Sequence, residues 1–155
     1  MSITIERTTT PTDDVRALVD ALETELSGSF EAHQRHGLSL DRIFQPHIAF
    51  FVARLDGEPV GCGGIAFEDG FGELKRMYVR PGERGRGVVQ AILARLEDEA
   101  RSRGVRRVLL ETGDILLAAI RVYERAGFTR CEAFGDYLAL PPHTIEHSVF
   151  LEKRL

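Results

Sequence analysis

The chain has no tryptophan, only two cysteines, and no unbroken apolar run near the roughly 20 residues that span a bilayer. Cys62 and Cys131 stand too far apart in sequence to read as a metal pair or a disulfide framework, so both are expected as thiols. An excess of positive charge is also missing: 20 Lys and Arg against 24 Asp and Glu give a formal charge of −4. Affinity for nucleic acid rests largely on basic side chains neutralising phosphates, so a general nucleic-acid binder is excluded and any phosphate site must be local. The first residues, "MSITIERTTTPTDD", lack a basic segment followed by an apolar one; a cytoplasmic protein with no membrane partner is expected. No repeat, low-complexity stretch or linker divides the chain.

What is present is an ordinary globular composition, 43% hydrophobic and 28% charged over 155 residues. A chain of that length buries roughly two thirds of its unfolded surface, and one domain over 1–155 is expected. Ile3 and Ile5 alternate with polar residues, predicting a strand over about 2–8. Val15, Leu18, Val19, Leu22 and Leu26 then recur at helical spacing up to Gly28. Residues 30–37 show no decisive period, and although Ser39 could cap a short helix ending before Pro46, the region is expected to be irregular. "IAFFVARL" and "EPVGCGGIAFE" are strand-like runs joined by Asp56-Gly57, a hairpin signal. "ELKRMYV" continues the meander, with Leu74, Arg76 and Tyr78 expected on one face and Lys75, Met77 and Val79 on the other. A helix marked by Val88, Ile92, Leu93 and Leu96 ends at Gly104, and a strand follows over 105–112. Strand, helix, strand of this length implies a right-handed parallel crossover. "DILLAAIRVYERAG" predicts a further helix, with Asp114 as cap and Gly127 as terminator. "FTRCEAF" and "HSVFLEKRL" predict two last strands around a loop at Pro141 and Pro142. The sum is an α/β fold with a mixed sheet.

The stretch "MYVRPGERGRGVVQAIL", from Met77 to Leu93, sets a bare basic turn between a strand and a helix. Glycines let a backbone approach a ligand, and the helix start leaves amide N–H groups unpaired beside the positive dipole end. A diphosphate suits such a corner. A Walker-type loop would need Gly-Lys-Ser/Thr where Gly87-Val88-Val89 stands, and a dinucleotide fingerprint would need a small residue at Gln90. A tight loop with solvated arginines explains the same letters.

The run "ELKRMYVRPGERGRGVVQAILARLEDEARSRGVRRVLLET" followed by "AAIRVYERAGF" resembles the core of the GNAT superfamily of acyl-CoA-dependent N-acetyltransferases. The resemblance covers Gly72 to Phe128, with Arg84, Gly87 and Val89 on the defining positions of the pattern Arg/Gln-x-x-Gly-x-Gly/Ala; Val89 departs from the small residue usual there. It implies a mixed, mostly antiparallel sheet with a splayed parallel strand pair, flanked by helices. It implies acetyl-CoA as co-substrate, with its pyrophosphate held by Arg84, Gly85, Arg86, Gly87, Val88 and Val89, and its pantetheine arm lying along the backbone of Met77, Tyr78 and Val79. The implied reaction is direct transfer of acetyl to a primary amine of a small molecule or peptide, with homodimers common in the family. The other reading is a CoA-binding sensor that has lost the transfer chemistry.

Transfer from a thioester to an amine needs a base for the ammonium and an acid for the departing sulfur. By resemblance Tyr123 is the acid and Glu73 the base, with Glu111 as substitute base or partner of a substrate cation. The bland readings are a core aromatic for Tyr123 and a solvated charge for Glu73. His33 and His36 fall where the family places a variable wall of the acceptor pocket, and Tyr137 is assigned to the opposite wall. The histidine pairs 33/36 and 143/147 lack the third ligand of a zinc site, so no metal is expected. Cys62 and Tyr78 read as packing residues.

Overall fold

The computed structural model describes all of residues 1–155. Seven strands form a single sheet: β1 (Ile3–Thr8), β2 (Ile48–Leu55), β3 (Glu58–Glu68), β4 (Phe71–Val79), β5 (Arg107–Gly113), β6 (Thr129–Arg130) and β7 (Ser148–Arg154). Their spatial order is β1-β2-β3-β4-β5-β7-β6. Every neighbouring pair is antiparallel except β4 and β5. Four helices accompany them: α1 (Asp13–Ser27), α2 (Val88–Ser102), α3 (Leu117–Arg125) and the single turn α4 (Pro142–Ile145).

Local chemistry accounts for the boundaries. Thr12 caps α1 by accepting from the Val15 N–H at 3.3 Å, and Asp13 and Asp14 sit at the positive dipole end. Asp56 and Gly57 both take positive φ, as the tight β2–β3 hairpin turn requires. Strands β2 and β3 bury both faces, so they read as apolar runs. One face, carrying Phe51, Ala53 and Ile65, packs on Ile92, Leu93 and Leu96 of α2 and Ile120 of α3. The other, carrying Phe50 and Val52, packs on Val15, Leu18 and Leu22 of α1. Truncating a fully buried residue such as Ile92 to alanine is expected to cost about 2–5 kcal/mol.

Strand β4 breaks its expected alternation. Cys62 pairs with Tyr78 and Gly64 with Lys75, so Gly63 opposes both Arg76 and Met77 in a β-bulge. Arg76 takes φ 55°, a left-handed conformation rare outside glycine. Leu74, Met77 and Val79 therefore share the α2 face while Tyr78 lies on the α1 face, which corrects the even alternation predicted from the sequence. Gly63 leaves the room: a Cβ there would lie 2.5 Å from Met77 Sδ and 2.8 Å from Ile92 Cγ2.

Two further expectations change. Helix α3 starts at Leu117, and Asp114 does not cap it. Its carboxylate pairs with His147 Nδ1 at 2.9 Å and its N–H donates to the His147 carbonyl, tying the loop to the start of β7. "FTRCEAF" keeps strand pairing only at Thr129 and Arg130, because the chain turns inward to bury Phe134 and Tyr137 against Leu109 and Phe150. The stretch before Pro46, expected to be irregular, holds only a three-residue 3-10 turn, Leu40–Arg42, with no side-chain cap from Ser39.

Candidate active site

Strands β4 and β5 pair only at Gly72–Val108 and Glu73–Leu109. Beyond those residues β4 runs on to Val79 and β5 to Gly113 with no ladder between them, so the parallel pair opens into a gap. The gap leads into a cleft of about 680 Å³ bounded by the end of α1, the bulge of β4, the start of α2 and the inner side of α3.

At one end lies the glycine turn. Gly85 and Gly87 have φ of 82° and 85°, and neither would bring a Cβ against any neighbour, so backbone conformation rather than space selects glycine here. The N–H of Arg84 donates to Pro81 and that of Ala91 to Gly87, but those of residues 85 to 90 find no acceptor in the protein. They gather at the positive end of the 15-residue helix α2. Gly85, Val88 and Val89 line the cleft; Gly87 caps the helix behind them, and Arg86, not itself a lining residue, pairs with the cleft residue Glu83 at 3.5 Å. Arg84 braces the turn: its Nε donates to the Val79 carbonyl at 2.9 Å, and a terminal nitrogen reaches both oxygens of Glu25 at 2.9 and 3.0 Å.

At the other end charges gather. Glu73 is buried, with 7% of its surface exposed, rather than solvated. The Tyr137 hydroxyl donates to its Oε2 at 2.6 Å, and Lys75 Nζ lies 2.9 Å from the same oxygen and 3.3 Å from the Tyr137 hydroxyl. Burial, reinforced by the Glu73 charge, pushes the Tyr137 phenol well above its ordinary range. Glu111 also lines the cleft and accepts from Ser148 Oγ at 2.6 Å. Burial raises its carboxyl, with the neighbouring Glu73 charge acting in the same direction against the Ser148 bond, His36 and Lys75. His36 lines this end too; its Nε2 bonds the Thr144 carbonyl at 2.7 Å and its ring meets Tyr137 edge-on at 5.6 Å. His33 does not join them: it sits outside the cleft, 5.9 Å from the His143 ring.

Tyr123, on α3, borders the cleft near its middle and packs edge-on against Phe128 at 5.9 Å. Its hydroxyl has no hydrogen-bond partner in the protein, and burial pushes it above the ordinary phenol range, so it stays protonated at neutral pH. The Cys62 thiol, pushed up by burial to about 12, donates to the Arg76 carbonyl at 3.3 Å and is a packing group. Lys75, Arg76 and Glu25 carry no sequence signal of their own: the first two are charged residues within β4, and Glu25 lies on α1. Among groups of histidine, cysteine, aspartate and glutamate, none of three or more is arranged to hold a metal ion.

The sequence profile of the acetyltransferase (GNAT) family matches residues 16–128. This chain belongs to the GNAT acetyltransferase family. An "IAA acetyltransferase" of Azospirillum brasilense is 40% identical over 156 residues, covering 99% of both chains. The "uncharacterized N-acetyltransferase YsnE" of Bacillus subtilis is 35% identical over 77% of this chain and 78% of its own. A solved structure from Klebsiella pneumoniae, provisionally described as an acyl-CoA N-acyltransferase, is 36% identical with a TM-score of 0.77, covering 99% of this chain and 97% of that one. In fold alone, the PaiA N-acetyltransferase of Thermoplasma acidophilum, solved with coenzyme A, has a TM-score of 0.76 at 16% identity across the full length of both chains. This GNAT chain is thus an acyl-CoA N-acyltransferase. None of its helices is long and apolar enough to cross a membrane.

Proposed function

We propose that the chain, acting as one domain in the cytoplasm, transfers an acetyl group from acetyl-CoA to a primary amine of a small molecule or peptide by direct attack in a ternary complex. The observation that carries this reading is the run of unpaired amides at residues 85 to 90 beside an open strand gap. Such a corner fits a diphosphate, and an unladdered strand edge fits an extended arm. Acetyl-CoA supplies the acyl group already activated as a thioester.

The main-chain N–H groups of Gly85, Arg86, Gly87, Val88 and Val89 would hold the diphosphate, with Arg84 adding charge. The free edge of β4 at Met77 and Tyr78 would take the arm, while the Val79 carbonyl is already occupied by Arg84. Tyr123 would keep its proton on Oη until the departing sulfur needs it, which its raised pKa favours. Glu73 has Oε2 committed to Tyr137 and Lys75, leaving Oε1 to take a proton from the acceptor ammonium. Glu111 would attract that ammonium or share the base role, and His36 and Tyr137 would wall the acceptor. His33, outside the cleft, would act only on the surrounding loop.

Thermal-shift titration tests the cofactor half of this reading. Ligand at a hundredfold its Kd adds about 2.7 kcal/mol, several degrees in Tm, so acetyl-CoA and CoA should stabilise the protein where ATP does not. Absence of CoA-specific stabilisation would refute it. A thiol-release assay over an amine panel tests the other half: turnover is expected, and CoA binding without release from any amine would mark a sensor instead.

A further inference from the structure

Resting on the transferase reading, we infer that Arg35 and Arg76 form a carboxylate pocket beside the acceptor end, so that the acceptor is an amine that also carries a carboxylate, as an amino acid does. Both arginines line the cleft, Arg76 next in sequence to Lys75 and Arg35 next to His36. Both pair with a single acid: Glu23 takes Arg35 Nη1 at 3.0 Å on one oxygen and Arg76 Nη2 on the other. One carboxylate balances one guanidinium, so a unit of positive charge remains. The other cleft acids are committed elsewhere, Glu73 to Lys75, Glu111 to Ser148, Glu25 to Arg84 and Glu83 to Arg86.

The donors are equally unmatched. A guanidinium offers several N–H groups, yet each of these makes one hydrogen bond, and the Nε atoms of both are buried without an acceptor. The Arg76 side chain is only 2% exposed, and burial alone lowers its pKa, so the environment disfavours the cation it holds. It is also held at considerable local cost. Its backbone sits at φ 55° in the bulge, and the chain can lie against its guanidinium only because residue 37 is glycine, where a Cβ would overlap it. A latch fastening α1 to the sheet would need only one arginine opposite Glu23. Two arginines around one acid, at the wall of an acceptor cleft, leave a planar fork suited to a second carboxylate.

The test is calorimetric and runs in two stages on the full chain. Coenzyme A is titrated first; failure to bind at this stage refutes the transferase reading itself. The CoA-saturated protein is then titrated with the proteinogenic amino acids, β-alanine and 4-aminobutyrate, each against its carboxamide. At least one free acid is expected to bind about tenfold or more tightly than its amide, the scale of a charge-assisted pair. Arg35→Gln, at a side chain 25% exposed and so tolerant of change, should erase that preference while CoA binding stays intact. Glu23→Gln, which removes the competing acid, should tighten the free acid and leave the amide alone. If CoA binds but no acid outbinds its amide, or if Arg35→Gln weakens acid and amide equally, the carboxylate pocket is overturned and the transferase reading stands.

Discussion

At the turn before α2 the chain offers a ligand main-chain N–H groups from residues 85 to 90, one contiguous stretch. At the far end of the same cleft it offers side chains from β4, β5, the loop after α1 and the segment before α4, with Tyr137 reaching Glu73 across 64 residues of sequence. A backbone site is indifferent to most side-chain changes and sensitive to φ and ψ. A side-chain site is the reverse, since one altered carboxylate changes its charge, its proton affinity and its shape. That division suits an enzyme whose relatives share a cofactor: the shared part can stay in the main chain while the variable part is rebuilt from side chains.

The largest expected effect separates binding from chemistry. Tyr123→Phe removes one oxygen that has no protein partner, so neither fold nor CoA affinity should move much, while kcat falls about 10²-fold or more, the usual worth of a positioned acid. Steady-state kinetics beside calorimetric CoA binding read this directly. An unchanged kcat would return Tyr123 to the core as a packing residue and leave the departing sulfur without an assigned acid.

Gly87→Val makes the opposite cut. A Cβ at residue 87 meets nothing within 4 Å, so the substitution acts chiefly through the φ of 85° that an L-residue resists, a strain of about 1–2 kcal/mol. Acetyl-CoA Kd should weaken by about tenfold to a hundredfold as the amides shift, with kcat at saturation nearly kept. A variant that lost kcat but kept Kd would break the assignment of the turn to the cofactor.

The same contrast explains which parts of the fold are legible in the sequence. The turn at 84–90, the Asp56-Gly57 hairpin, the α2 pattern ending at Gly104 and the parallel crossover are all written in neighbouring letters, and each stands where the sequence puts it. The acceptor end is not local. The bulge at Arg76 depends on register against Gly63, and the pairing of Glu73 with Tyr137 depends on the chain leaving the sheet early after β6. Asp114 shows the limit within a single residue: its position ahead of a helical stripe favours capping, but His147, 33 residues away, competes for the carboxylate and wins.

Glu111 sharpens the comparison through pH. Its carboxyl is raised by burial, so the protonated form is the one the fold favours; that stabilising effect is present below the unfolded carboxyl pKa and lost as pH rises through the folded one. Glu111→Gln removes the charge at all pH values. Its Tm relative to the parent protein should therefore climb as pH rises from the ordinary carboxylate range toward neutrality. A flat difference would mean that the bond from Ser148, together with His36 and Lys75, fully offsets burial. The glycine turn holds no titrating group of this kind, and Gly87→Val should show no such slope.

The smallest effect lies where the two regions meet. Arg84 belongs to the turn, yet its guanidinium is spent on Glu25 at the end of α1, with side chains 48% and 40% exposed. An ion pair that open to water contributes at most about 1 kcal/mol, so a diphosphate can take Arg84 from Glu25 at little cost. Glu25→Gln removes the competitor and should tighten CoA binding by up to about fivefold. The gain should shrink as salt is raised, because the competing pair is screened first. Weaker binding in Glu25→Gln would reverse the interpretation: Glu25 would then aim the Arg84 side chain at the cofactor, and the turn would depend on a side chain after all.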